Sequence, residues 1–343
     1  MRKLLNTLFV NTEDAYAALD GENVVIRKGD EVAGRFPLHI LEGIYLFSYA
    51  GASPALMGKC AEMNINLVFL SPRGRFLARV SGRSQGNVLL RRTQYRTADD
   101  PVQSCRIARS CIFGKVSNAR QVVDRARRDH GMRIDGEKFR SVSDQMKALL
   151  PQIMEETSPD SLRGLEGSAA ALYFSVFDDM ILRNKDRFFF HERNRRPPLD
   201  NVNALLSFVY VMLGNECASA LEMVGLDSCV GFLHRDRPGR TSLALDLVEE
   251  LRPCMADRFV LTLINDRLIS ASDFEKQENG AVLLSQNGRK KIQKEWQNRK
   301  QVQITHPYLK EKLEWGLVPY VQALLLARHL RGDLEDYPPF LWK

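Results

Sequence analysis

Gly231–Pro253 reads GFLHRDRPGRTSLALDLVEELRP. It places one histidine, His234, in a loop, followed by a Pro238-Gly239 turn. Thr241 or Ser242 then caps a helix, and Pro253 is expected to limit its far end. Within that helix Asp246 and Glu249 stand three residues apart, so both carboxylates share a face. Leu243, Ala244, Leu245, Leu247 and Val248 flank Asp246, which argues for a buried helix whose acids need a cation. An imidazole loop beside two carboxylates has the shape of a divalent-metal site lacking one ligand.

Glu166 is the best candidate for that ligand. On a helix its +3, +4, +7, +11 and +14 positions are Ala169, Ala170, Tyr173, Phe177 and Met180, an apolar face. An unpaired carboxylate there is costly and calls for a salt bridge, to Arg163 or a distant arginine, or for a metal. The small run Gly167–Ala171 leaves room for another helix or the His234 loop. Carboxylates plus one imidazole form a hard, oxygen-rich set, better suited to Mg²⁺ or Mn²⁺ than to structural zinc. Such an ion can promote in-line attack on a phosphodiester by water or a 3′-hydroxyl.

The charge distribution points to a polyanionic partner. The chain of 343 residues carries a formal +7, and residues 81–140 hold 14 Lys and Arg against 6 Asp and Glu. That segment accounts for the whole excess. It is rich in arginine, including Arg125, Arg127 and Arg128, and arginine forks onto phosphate oxygens. A basic helix that merely faces solvent would carry the same charge. Arg195 and Arg196 precede an expected N-cap at Asp200 or Asn201, a setting suited to phosphate or to an ordinary polar loop. Arg237 and Arg240 lie in the His234 loop. A second basic segment covers 287–300.

Residues 1–80 read as β, with runs at 7–10, 15–19, 23–26, 31–36, 44–47, 67–70 and 76–80, and one short helix at 54–63. A small β-sandwich or rolled sheet is expected, a dimerisation candidate because about 80 residues build a limited core. Residues 81–86 (SGRSQG) form a polar linker. Residues 87–343 are expected to be an all-α catalytic domain, making the fold class α+β. Its helix candidates are 106–129, 141–156, 161–179, 201–224, 242–251, 256–264 and 309–330.

Apolar residues make up 44%, ordinary for a globular protein, and no apolar run is expected to span a membrane. The apolar start, about Leu4–Val10, meets acidic residues at once and reads as a strand rather than a signal peptide. Six scattered cysteines without zinc spacing read as reduced thiols of a cytoplasmic protein.

Several stretches together resemble the CRISPR-associated integrase-endonuclease, the larger subunit of the spacer-acquisition complex. They are GASPALMGKCAEMNINLVFLSPRGRF (51–76), LRGLEGSAAALYF (162–174), RNRRPPLDNVNALLSFVY (193–210) and Gly231–Pro253. The ending DYPPFLWK (336–343) resembles the branch that accompanies type I-C loci. The resemblance implies a metal-dependent DNA-joining enzyme whose ligands fall on Glu166, His234 and Glu249, with Asp246 as the nearby helper carboxylate. The last ligand is often aspartate in the family and is glutamate here. The family also implies a homodimer, a small second CRISPR-associated protein as partner, and 3′-hydroxyl attack on repeat DNA. From the residues alone, a phosphodiester enzyme with a divalent ion is as far as the chemistry reaches. His234-Arg235-Asp236-Arg237 also satisfies the HxxR pattern of tyrosine recombinases, a reading that leaves the three acids unexplained. The basic charge is equally compatible with a non-catalytic scaffold, and the acids with a stand-alone nuclease acting on branched or repair DNA.

Overall fold

The computed structural model describes residues 7–12, 14–72, 76–80, 82 and 87–342. The expected linker lies outside them apart from Gly82, as do the first six residues and the 73–75 stretch between two expected strands.

The N-terminal part contains β1 (Thr7–Val10), β2 (Ala15–Asp20), β3 (Asn23–Lys28), β4 (Glu31–Pro37), β5 (Gly43–Phe47), α1 (Pro54–Met63), β6 (Asn66–Leu70) and β7 (Phe76–Arg79). β2, β3 and β4 form an antiparallel sheet, and β1-β5-β6-β7 a second one. The second sheet is mixed, with β1, β5 and β6 mutually parallel. A parallel pair needs a crossover, and α1 supplies it between β5 and β6. Pro54 opens α1, Ser53 caps it by accepting from Leu56 N at 3.2 Å, and Asn64 closes it in the left-handed conformation. Val24, Ile26, Ile44, Leu46 and Leu67 of the sheets and Leu56 and Cys60 of α1 share one core. The outer residues Phe9, Tyr45, Phe47, Val68 and Leu70 pack on Phe208 of the helical part.

The helical part comprises α2 (Val88–Asp99), α3 (Pro101–His130), α4 (Gly136–Glu155), α5 (Pro159–Phe174), α6 (Asn201–Met223), α7 (Ser242–Leu251), α8 (Arg258–Asn265), α9 (Gln286–Lys300) and α10 (Val318–Leu330). Asp100 caps α3, Asp135 caps α4, Ser158 caps α5 and Asp200 caps α6. α3 packs against α4, α5 and α7. At Gly114 the approach is closest, because a Cβ there would lie 3.0 Å from both Glu250 and Pro339.

Four expectations are corrected. The helical part is not all-α: β8 (Phe274–Lys276) pairs with β9 (Val282–Leu284), and β10 (Gln303–Thr305) with β11 (Lys312–Glu314). These strands of three residues are too short to register as alternation. α10 begins at Val318 rather than 309, because Pro319 sets its first turn and β11 with a 3₁₀ turn at Trp315–Leu317 precedes it. α7 ends at Leu251, ahead of Pro253, but the helical path runs on. Arg252–Asp257 form a π-helical turn leading into α8, in which Arg258 N bonds back to Pro253 O. The wider turn accommodates a proline that lacks an N–H. Finally, α6 (23 residues) is long and apolar enough to span a membrane by length and composition. It is nonetheless packed in the core, with Leu205, Val209, Leu213 and Leu221 buried. Its Glu216 is bonded to Trp296 Nε1 (2.9 Å) and Lys300 Nζ (3.0 Å).

Candidate metal and nucleic-acid site

α3, α5, α7 and the 231–240 loop meet at one place. Asp246, buried in α7, gathers the loop. Its Oδ2 accepts from the backbone N–H of Phe232 (2.6 Å) and Leu233 (3.0 Å), and its Oδ1 from that of His234 (3.0 Å). The same Oδ1 lies 2.7 Å from His234 Nδ1. A carboxylate that already accepts three amides is an acceptor only. Nδ1 therefore carries the proton, which leaves Nε2 as the ring's acceptor nitrogen. The first turn of α7 has no side-chain cap from Thr241. The Ser228 carbonyl accepts from Leu243 N (3.0 Å) and Ala244 N (3.3 Å) instead.

The loop reaches Asp246 because residue 231 has no side chain. A Cβ there would lie 2.8 Å from His234 O and 2.9 Å from Asp246 Oδ2. Gly231→Ala should therefore displace His234, with cleavage activity falling more steeply than thermal stability. Equal losses in both would show that the position serves packing only.

Glu166 and Glu249 are joined by a cation, though not by an arginine. The Lys115 ammonium from α3 pairs with Glu166 Oε1 and lies 2.5 Å from Glu249 Oε2. Arg163, one expected partner of Glu166, pairs with Asp160 instead and donates to Leu233 O at 3.4 Å. Glu249 Oε1 accepts from Arg252 at 2.5 Å. Burial pushes the Glu249 carboxyl up, but Arg252 and Lys115, with a smaller contribution from His234, bring it down to about 2. Behind them Asp257 accepts the Tyr210 hydroxyl at 2.5 Å, and Arg252 stacks over the Tyr210 ring at 4.8 Å.

Among the described residues no three His, Cys, Asp or Glu side chains are gathered closely enough to hold an ion as they stand. The donor set still suits one. Glu249 Oε2 is buried with no aligned hydrogen bond, and it shares with Glu166 a single positive charge, Lys115. That ammonium stands where two carboxylates converge, as a divalent cation would. Sequence inspection missed Lys115, Arg252, Tyr210 and Asp257. A signal existed for the lysine: it lies beside Cys111, Ala119 and Val122 on the buried side of α3.

The arginines divide into two kinds. Arg127, Arg128, Arg195, Arg196 and Arg237 are exposed, and Arg240 is half-buried. Arg125 is partly structural, paired with Asp129 at 3.2 Å and stacked over Trp342 at 5.5 Å. Arg193, beside the 195–196 pair, is locked onto Asn203 (2.7 Å) and Ser207 (3.1 Å).

The family pattern of CRISPR associated protein Cas1 matches residues 8–298. The chain belongs to the Cas1 family. It is 50% identical over 347 residues to CRISPR-associated endonuclease Cas1 2 of Rhodospirillum rubrum, with both chains fully covered. It is 47% identical over 343 residues to CRISPR-associated endonuclease Cas1 1 of Chlorobaculum tepidum, again with full coverage of both. Among solved structures, a casposase bound to an integration product matches with a TM-score of 0.83 at 24% identity, over 98% of this chain and 94% of that one. A Cas1 protein from Thermotoga maritima gives 0.79 at 20% identity, over 95% and 97%. These two likenesses establish the mixed α+β Cas1 fold.

Proposed function

We propose that this Cas1 chain is a divalent-metal-dependent DNA endonuclease and integrase of CRISPR adaptation, joining short duplexes into a repeat array by 3′-hydroxyl attack. The observation that carries the reading is the convergence of Glu166 and Glu249 on one cation, beside a histidine whose Nε2 is left open. Glu166, His234 and Glu249 would hold Mg²⁺ or Mn²⁺. Asp246 fixes the imidazole, as partners of metal-bound histidines do. Arg252 offsets part of the carboxylate charge from within the protein. When bound, the ion polarises a phosphodiester and lowers the barrier to in-line attack. The test is strand joining on supercoiled repeat DNA. Chelation should abolish it and Mn²⁺ restore it, with DNA binding retained throughout. Chelator-insensitive joining would defeat the metal reading, whereas cleavage without joining would favour a stand-alone nuclease.

DNA is the proposed substrate and a small Cas2-type protein the proposed partner. The casposase neighbour is bound to an integration product, and a further neighbour of the same fold sits in a Cas6-RT-Cas1–Cas2 complex. Exposed arginines give an affinity that is largely independent of sequence, through counterion release. Replacing both Arg127 and Arg128 with alanine should lower the slope of log K against log salt by about one unit per arginine. An unchanged slope would show that these arginines face solvent or protein instead.

The active unit is proposed to be a homodimer, since paired integration needs two sites and two-fold dimers are the commonest oligomers. The β part exposes the apolar side chains of Val32 (57%) and Tyr49 (69%), two positions that a second copy would cover. Deleting this part would uncover Phe208 and remove Arg79 from Glu222, so substitution is the cleaner test. Val32→Glu with Tyr49→Glu should give a monomer by light scattering, and a persistent dimer would move the interface elsewhere. The DYPPFLWK ending supports placement in the type I-C branch.

A further inference from the structure

Lys115 is an unusual group to find between two metal-ligand candidates. An ammonium and a divalent ion cannot share the same carboxylate oxygens, because the two positive centres repel. Lys115 must leave before Glu166 and Glu249 can bind an ion together. The structure contains a place for it to go. A small cavity beside the lysine is lined by Ala169, Ala170, Tyr173, Phe174 and Asp257. The two alanines leave that space open, and Asp257 offers a carboxylate within it. Asp257 is buried in the π-helical turn and accepts the Tyr210 hydroxyl at 2.5 Å; burial pushes its carboxyl up, and Arg252 and Lys115 only partly oppose this.

We propose that Lys115 is a movable counter-ion: it holds Glu166 and Glu249 together in the metal-free protein and withdraws to Asp257 when a divalent ion takes its place. The inference rests on the metal reading above. Lys115 is then a positioning residue. Metal loading is coupled to its displacement: the ammonium offsets the repulsion between the two carboxylates, at the expense of metal affinity.

The test is Mn²⁺ binding to the full-length protein, read from the electron paramagnetic resonance signal of the free ion. Lys115→Met keeps the stem and removes the charge. It should bind Mn²⁺ about tenfold more tightly than the parent, within the range usual for coupled sites. It should also melt at a lower temperature without metal and gain more from Mn²⁺. Asp257→Asn removes the retreat and should weaken Mn²⁺ binding. The double variant should match Lys115→Met, because nothing then needs to withdraw. Should Lys115→Met not fold, Lys115→Arg serves: a planar guanidinium is too large for the cavity and should weaken Mn²⁺ binding. Equal affinity in the parent and the Lys115 variants would overturn the proposal. So would an Asp257→Asn effect that persists in the double variant. Absence of Mn²⁺ binding in every protein would remove the metal reading as well, whereas binding indifferent to Lys115 would remove only this inference.

Discussion

His234→Ala should lose strand joining and cleavage by more than about 100-fold, because even the partner of a metal-bound histidine is worth about 10–100-fold. DNA affinity should hold, since the proposed phosphate contacts lie on arginines elsewhere on the surface. Joining assays with binding isotherms at matched salt would measure both. If affinity fell in proportion to activity, the histidine would be a structural group. Asp246→Asn is a companion variant. Asp246 accepts from three backbone amides and the imidazole, so its oxygens are committed. An amide there would present N–H to donors, loosening the loop and the tautomer together. Activity should drop by about 10–100-fold while some Mn²⁺ binding survives, the pattern of an orienting group rather than a ligand.

Glu250→Ala should be the most destabilising single change near the site. Glu250 is adjacent to Glu249 but points the opposite way, into the C-terminal segment. It accepts the Tyr337 hydroxyl at 2.5 Å, the Gln322 amide at 3.0 Å and Phe340 N at 3.1 Å. Asn118, one turn beyond Lys115, completes the clamp: it donates to Glu250 O (2.7 Å) and Phe340 O (2.8 Å) and accepts from Trp342 N (2.8 Å). Removing the carboxylate strands the Tyr337 hydroxyl and Phe340 N–H, while Gln322 keeps Tyr337 and Pro338 O as acceptors; at about 1–3 kcal/mol per stranded donor, a loss of about 2 kcal/mol or more is expected. Urea denaturation would check it, and a loss under about 1 kcal/mol would show that the tail repacks or that water fills the space.

The same carboxyl has a pH signature. Burial pushes it up from 4.5 to about 7, despite its three donors. Between those values the folded state binds the extra proton, so this group's contribution to stability declines as pH rises from about 4.5 to about 7. Glu249 behaves oppositely: held at about 2, it stabilises above 4.5 and loses that contribution as pH falls through about 2. Glu250→Gln should flatten the first of these two windows, and an unaltered slope there would assign it to another group.

Much of the fold is legible because its signals are local. Capping residues at Ser53 and Asp200, the turns of the β part and the bounds of α1 and α7 are written within a few residues of where they act. The stretch from Gly231 to Pro253 likewise announces a histidine loop and two acids on one helix. Short strands such as β8 and β11 escape because three residues carry no period. The direction of the chain after Pro253 escapes because a π turn has no sequence signature comparable to a cap.

The chemistry at the centre depends on distance in space. Asp246 and Glu249 share a helix face, yet one is consumed by loop amides and the other meets Lys115 and Arg252. Spacing on a helix sets which side a residue faces and says nothing of what is folded against it. Glu166 finds its cation 51 residues earlier, on a helix whose basic residues look like surface charge. The irregular stretch 336–342 carries no period in the sequence, yet Tyr337 and Phe340 within it are buried. In each case the deciding term is the cost of burying a charge or a polar group. That cost arises only once tertiary packing has removed the water, so a sequence can name the groups that need partners, while the fold selects which partners they receive.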